Sequence, residues 1–321
     1  MEIVFTILIL LFSSVVTIIL ISIAAGLAWS FGGRFRKFFK YGLWALLISP
    51  LMFLYGGLIE HNSFTVSNID LFSDGITPAN DGFKVVHISD LHLYSFRNRE
   101  AYLEKIVAEI NSLSPDVVLF TGDIVTYGPS EMDGLEDILA GLNARYGTYS
   151  VLGNHDYCIY DKFISEEERM ANTEEIISRE RKMGWKVLLN ENVNVGKDSS
   201  ICIVGVENIS SSVHFPSYGS LDKAVSGAEG EYLMLMSHDP SFWDSAIASH
   251  PQIDLTLSGH THAMQLSLFG YSPSRLLYRR YRGLHSSGKN NLYVNIGLGE
   301  TAIMSRIGTP PEITLLTLHH K

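Results

Sequence analysis

With 321 residues the chain can bury a sizeable core in one large or two ordinary domains. Its formal net charge of -10 argues against a nucleic-acid binder, which needs a basic face. Two cysteines, Cys158 and Cys202, are too few for a disulfide scaffold or a cysteine-based zinc site.

The apolar content is concentrated at the amino end. From Ile3 to Gly33 no residue is charged, and a second charge-free run extends from Tyr41 to Ile59. About 20 apolar residues cross the hydrocarbon core of a bilayer, so each run is long enough for a membrane helix. Pro50 is expected to kink the second. Between them, "GGRFRKFFK" carries Arg34, Arg36, Lys37 and Lys40. Short loops rich in Lys and Arg stay cytoplasmic, which predicts a transmembrane hairpin over residues 1–60, with spans of about 3–31 and 41–59. The protein is then integral to the inner or plasma membrane, with everything after Glu60 extracytoplasmic; the cytoplasmic face is the alternative. A cleaved signal peptide fits less well, because "ME" lacks the positive n-region.

Residues 61–82 are polar and turn-rich and read as a linker or an opening edge strand. From Phe83 to the carboxyl end, short β-branched runs alternate with helical stretches: "FKVVHIS", "DVVLFTG", "TYSVLGN", "SICIVGV", "YLMLMSH", "IDLTLSG", "NLYVNIG" and "EITLLTLH". Helices are expected at "NREAYLEKIVAEINSLSP" and "EEERMANTEEIISRERKMG". Strands punctuated by helices predict an α/β layered domain over 83–321.

Five of these strands end in the same kind of residue. The ends carry Asp90 and His92; Asp123; Asn154, His155 and Asp156; His238; and His260 with His262. Singly, each has a plain reading as a helix cap, a turn residue or a core histidine. In order on one chain they point to one site, because ligands in layered α/β folds gather where strands end. Carboxylate and amide oxygens mixed with imidazoles suit Mn, Fe or Zn. Seven donors, Asp90, His92, Asp123, Asn154, His238, His260 and His262, exceed the needs of one ion with an open position and suit two divalent metal ions.

The ordered set D-x-H, G-D, G-N-H-D, a lone H and G-H-x-H resembles the calcineurin-like metallophosphoesterases, from about Lys84 to the carboxyl end. The resemblance implies a four-layer α-β-β-α sandwich with a dinuclear centre at the strand ends. It implies that Asp90, His92 and His262 bind one metal, that Asn154, His238 and His260 bind the other, and that Asp123 bridges them. It also places His155 over the phosphate as transition-state stabiliser or acid, with Asp156 orienting its ring. "MSHDPSFWD" around His238, Gln265, "LYVNIGLG" and "RIGTPPEITLLTL" are similar to a bacterial membrane-associated branch. That branch includes transmembrane metallophosphoesterases and UDP-2,3-diacylglucosamine hydrolases. Two departures bear on substrate: Ala263 and Met264 stand where the branch has a glycine, and no acidic residue or Asn follows three beyond Asp123.

The substrate expected is a phosphomonoester, phosphodiester or pyrophosphate, lipid-linked in the leading reading. A nucleotidase or cyclic-nucleotide phosphodiesterase is the rival enzyme, and a non-catalytic membrane scaffold the rival of another class. After the last histidine comes "LFGYSPSRLLYRRYRGLHSSGKN". Its Arg275, Arg279, Arg280 and Arg282, with Gln265 before it, are candidate contacts for an anionic head group. The alternative is a solvated hairpin packed on its own domain. The sequence leaves the oligomeric state open.

Overall fold

A computed structural model describes residues 2–321. Helix α1 (Glu2–Ser30) is followed by α2 (Phe35–Gly42), a 3-10 turn over Leu43–Leu47, and α3 (Ile48–Leu58). Spans of 25 residues (Thr6–Ser30) and 28 residues (Phe35–Asn62) are long and apolar enough to cross a membrane. They lie antiparallel, with Ser13 and Ser49 sharing a hydrogen bond at 2.7 Å. The basic stretch expected as a loop is helical instead: Arg36, Lys37 and Lys40 lie within α2. Gly33 is the last breaker before Gly42, so the chain turns early and enters the second helix at Phe35. Ahead of Pro50 the helix tightens to 3-10 geometry, which accommodates a residue that cannot donate to the carbonyl four before it.

The remainder builds two six-stranded sheets. The strands are β1 (Thr65–Ser73), β2 (Phe83–Ile88), β3 (Val117–Phe120), β4 (Thr148–Ser150), β5 (Lys186–Val187), β6 (Glu191–Val195), β7 (Ile201–Gly205), β8 (Tyr232–Met236), β9 (Ile253–Ser258), β10 (Gly283–Ser287), β11 (Asn290–Val294) and β12 (Glu312–His320). One sheet has the order β1-β12-β2-β3-β4-β5 and the other β10-β11-β9-β8-β7-β6. The helices beyond residue 62 are α4 (Glu100–Ser112), α5 (Glu136–Leu139), α6 (Glu166–Lys182), α7 (Leu221–Ala224) and α8 (Trp243–Ser249). Residues 61–82 hold β1, which pairs in parallel with β12 at the sheet edge, so the layered domain begins before Phe83.

The layering follows from the period-two alternation of apolar strands covered on both faces. Val85, Val117 and Leu119 face Ile203, Met234 and Leu255 between the sheets. Their neighbours Val86, Val118 and Phe120 pack outward on Leu103, Ile106 and Ile110 of α4. On the other side Val204, Leu233 and Leu235 meet Leu221, Ala224 and Ala246. Burying each such side chain stabilises by about 1.5–3 kcal/mol. Cys158 lies in the α4 layer and Cys202 in the opposite outer layer, both buried and free.

The helical hairpin ends directly on this domain. The Glu60 carboxylate accepts from the backbone N–H of Thr309 at 2.7 Å and of Gly308 at 2.9 Å. His61 contacts the buried Glu300, and Arg99 donates to the His61 carbonyl at 2.7 Å.

Candidate metal centre

β2, β3 and β4 run parallel to one another in one sheet, as β8 and β9 do in the other, so their carboxyl ends and the loops that follow can meet across the sandwich. Those loops deliver Asp90, His92, Asp123, Asn154, His238, His260 and His262. Asp90, His92, Asp123, His260 and His262 hold left-handed backbones, with φ of 51, 41, 60, 73 and 47°. Such conformations cost about 1–3 kcal/mol each in non-glycine residues and persist where surrounding structure enforces them. Backbone approach here needs glycine. A Cβ on Gly153 would lie 2.2 Å from Asp123 Oδ1, and one on Gly259 2.2 Å from Asp90 Oδ2.

Two compact donor groups result. Ligand atoms of Asp90, His92 and His262 lie within 4.8 Å of one another, as do those of Asp123, His238 and His260. Between them sits Asp123 Oδ2, 3.6 Å from His92 Nε2 and 3.1 Å from His238 Nε2. His262 Nε2 is 3.2 Å from Asp90 Oδ1 and 3.1 Å from His92 Nε2. His260 Nδ1 is 3.3 Å from His238 Nε2.

The tautomer of His238 tests what this cluster can hold. Its Nδ1–H donates to the Thr121 carbonyl at 2.7 Å. Its Nε2 therefore faces Asp123 Oδ2 at 3.1 Å and Asn154 Oδ1 at 3.1 Å. With Nδ1–H committed to Thr121, Nε2 is the atom of this ring that can take a proton or a cation, and two oxygens converge on it. Burial pushes His238 down, but the Asp123 and Asp90 carboxylates outweigh it and hold the ring up at about 10. Asp123 is itself pushed up by burial, yet His238 and His155 hold it well below the usual carboxylate range. His92 and His260 are pushed down, chiefly by burial, and are neutral lone-pair donors. Two buried carboxylates among neutral imidazoles fit divalent cations of the Mn, Fe or Zn type.

His155 is half-buried beside this cluster. One of its ring nitrogens lies within 4.8 Å of donors on His92 and Asp123. Its Nδ1–H donates to the Thr126 carbonyl at 2.8 Å, and its ring stacks on Tyr160 at 4.1 Å. Asp156 was expected to orient this ring and is occupied elsewhere. Its carboxylate accepts the N–H groups of Gly153 and Asp123 at 2.8 Å, Ile124 at 2.9 Å and Val125 at 3.3 Å, joining the ends of β3 and β4. Burial and the Asp123 charge push it up to about 7 against those donors.

Residues outside the expected set hold the donors in place. Thr126 occupies the departing position three beyond Asp123, and its Oγ1 lies 3.2 Å from His92 Nδ1. Tyr278 Oη is 3.1 Å from His260 Nε2, and Tyr160 Oη accepts from Asn154 Nδ2 at 3.0 Å. Arg306, fully buried, lies 3.5 Å from His262 Nδ1. Only the position of Thr126 in the motif could have flagged any of these.

The candidate substrate contacts divide. Gln265 is buried and spends its amide on its own domain: Nε2 donates to the Ile303 and Ser305 carbonyls, and Oε1 accepts from Thr301 N–H at 2.8 Å. Arg280 makes a bidentate pair with Asp244 at 2.8 Å and covers the Trp243 ring at 4.3 Å, so it fastens its hairpin to α8. Arg275, Arg279 and Arg282 are exposed.

A family model described as calcineurin-like phosphoesterase matches residues 83–264. A protein of Danio rerio named transmembrane protein with metallophosphoesterase domain is 28% identical over 291 residues, covering 87% of this chain and 63% of the relative. An uncharacterized metallophosphoesterase of Bacillus subtilis, YkuE, is 28% identical over 302 residues, covering 88% of this chain and 97% of the relative. The chain thus spans about three fifths of the vertebrate relative and nearly all of the bacterial one. A crystal structure of a dimetal phosphatase from Danio rerio aligns over 69% of this chain and 89% of its own, at 13% identity and a TM-score of 0.40.

Proposed function

Because this chain belongs to the calcineurin-like phosphoesterases, we propose that its buried cluster is a dinuclear metal centre that hydrolyses a phosphoester at a membrane. Asp90, His92 and His262 would hold one ion, Asn154, His238 and His260 the other, and Asp123 both. The observation that carries this reading is the Asp123 carboxylate, whose Oδ2 lies within 3.6 Å of a ring nitrogen from each group.

Two bound divalent cations supply charge for the phosphoryl oxygens and acidify a water to serve as nucleophile. The chain's own contribution is position and a proton. With Nδ1–H committed to the Thr126 carbonyl, His155 presents Nε2 to the site, and as the imidazolium it would deliver the Nε2 proton to the leaving oxygen and be left neutral. Tyr160 supports that ring from one face, and Tyr278 and Thr126 fix His260 and His92.

The two apolar spans anchor the domain. The cations of α2 support a hairpin tip on the cytoplasmic side and so a site outside the cytoplasm. The substrate class that fits is a lipid or cell-envelope phosphoester on that face; UDP-2,3-diacylglucosamine fits only the opposite sidedness.

The test is metal content and turnover of the full chain in detergent. Wild type should carry close to two ions per chain by mass spectrometry and hydrolyse bis-p-nitrophenyl phosphate. Asp123→Asn should lose both. Full metal loading in that variant would refute the bridging role.

A further inference from the structure

Three loops surround the metal centre, and each is tied to it by an aromatic residue. Tyr160 stacks on His155 at 4.1 Å; Phe215 meets the His260 ring edge-on at 4.8 Å; Tyr278 bonds His260 Nε2 at 3.1 Å. Within a few residues of those anchors, each loop projects a large apolar side chain into solvent. Phe163 and Val213 are each 94% exposed, and Leu276 88%. Each tip also sets an exposed basic or imidazole residue beside the apolar one: Lys162, His214 and Arg275. In a chain of net charge -10 this pairing stands out.

The loop that carries Leu276 also reaches the helical hairpin. Leu268 and the fully exposed Phe269 share an apolar groove of about 750 Å³ with Leu51, Tyr55 and Ile59 of the second apolar span. Apolar tips flanked by cations are the composition of interfacial membrane contacts, where the apolar group enters the acyl boundary and the cation stays among phosphates. Isolated exposed apolar residues are ordinary, but several on separate loops around one mouth form a docking surface.

We infer that this face is a bilayer-contact surface: the three loop tips rest in the phospholipid interface, so the mouth of the metal centre opens onto lipid head groups. The inference rests on the anchoring read from the apolar spans, and it narrows the substrate to a phosphoester carried by a bilayer lipid. A soluble nucleotide would gain nothing from such a rim.

The test uses the full chain reconstituted into phosphatidylcholine–phosphatidylglycerol vesicles. Since Cys158 and Cys202 are buried, a cysteine introduced at the surface takes an environment-sensitive fluorophore selectively. Phe163→Cys and Leu276→Cys place it on the rim. Lys197→Cys places it between β6 and β7, at the end of β7 away from the metal centre. Vesicles containing acyl-chain nitroxide quenchers should extinguish the rim probes and spare the one at 197. Equal quenching at all three positions would overturn the inference. So would rim probes shielded from aqueous iodide without lipid quenching, which would mean that a protein partner or a second copy covers the face. Flotation with the vesicles reads the anchor separately, and bis-p-nitrophenyl phosphate turnover reads the chemistry, so failure of either is distinguishable from failure of the surface.

Discussion

Glu180 offers a pH dependence whose sign and size follow from its surroundings. It is fully buried on α6, beneath the last residue of β4, whose Ser150 hydroxyl donates to Glu180 Oε2. Burial first, and the Asp156 charge second, push its carboxyl from 4.5 up to about 8. A carboxyl raised in the folded state binds a proton that the unfolded chain has released. Its contribution is complete below about pH 4.5 and is lost as pH rises toward 8. With those two values, linkage gives a penalty of about 1 kcal/mol at pH 5 and about 3 kcal/mol at pH 7. Glu180→Gln cannot ionise and keeps an acceptor for Ser150, so it should escape the difference of about 2.5 kcal/mol. At about 2–4 °C per kcal/mol for a domain of this size, the variant's melting temperature should gain about 5–10 °C on wild type between pH 5 and pH 7. Intrinsic-fluorescence melts of both proteins in one detergent measure this. Asp156 titrates in both and largely cancels. Parallel pH profiles would show that Glu180 is ionised in the folded protein, and the reasoning would fail.

Other substitutions probe the site and its rim. His155→Ala should keep its metal by mass spectrometry while kcat on bis-p-nitrophenyl phosphate falls about 10²–10⁴-fold; unchanged turnover would remove His155 from the chemistry. Residues 262–265 all have left-handed backbones, with φ of 47, 48, 51 and 52°. Met264→Gly relieves a cost of roughly 1–2 kcal/mol, partly offset by glycine's freedom in the unfolded chain, for a net gain of about 0.5–1 kcal/mol. A lower melting temperature would mean that the Met264 side chain contributes packing its exposure does not suggest.

The residues that converge on the candidate centre were legible because short motifs fix their spacing and each sits where an apolar run stops. Their support was not. The partner of the His155 ring is the Thr126 carbonyl, and a carbonyl carries no mark in sequence; Asp156, the adjacent carboxylate, was the natural but incorrect expectation. Arg280 looked like a substrate cation among its neighbours, and only the fold shows it committed to Asp244 and Trp243. The pairing of β1 with β12 joins Thr65 to Glu312 and Ser73 to His320, far beyond any local pattern. Sheets covered on both faces could be anticipated because such coverage leaves continuous apolar runs, whereas the four-layer stacking came from the resemblance to the calcineurin-like phosphoesterases.

The helices are expected to matter to the domain beyond tethering it. Glu60 lies at the end of the second apolar span, and its buried carboxylate satisfies the N–H groups of Gly308 and Thr309 at 2.9 and 2.7 Å. Those residues follow Arg306, whose guanidinium donates to the Ile296 and Thr309 carbonyls and stands 3.5 Å from His262 Nδ1. The end of the span thus holds the loop that holds a residue of the candidate metal centre. Hydrogen bonds to a charged acceptor contribute about 1.5–3 kcal/mol each, so Glu60→Ala should cost about 3 kcal/mol or more. At about 2–4 °C per kcal/mol that is a fall of about 6–12 °C in melting temperature for the full chain in detergent. Metal affinity should fall with it, since Arg306 and His262 share the loosened loop. If Glu60→Ala melts and binds metal as wild type does, the apolar spans act as a tether alone, and the site is complete without them.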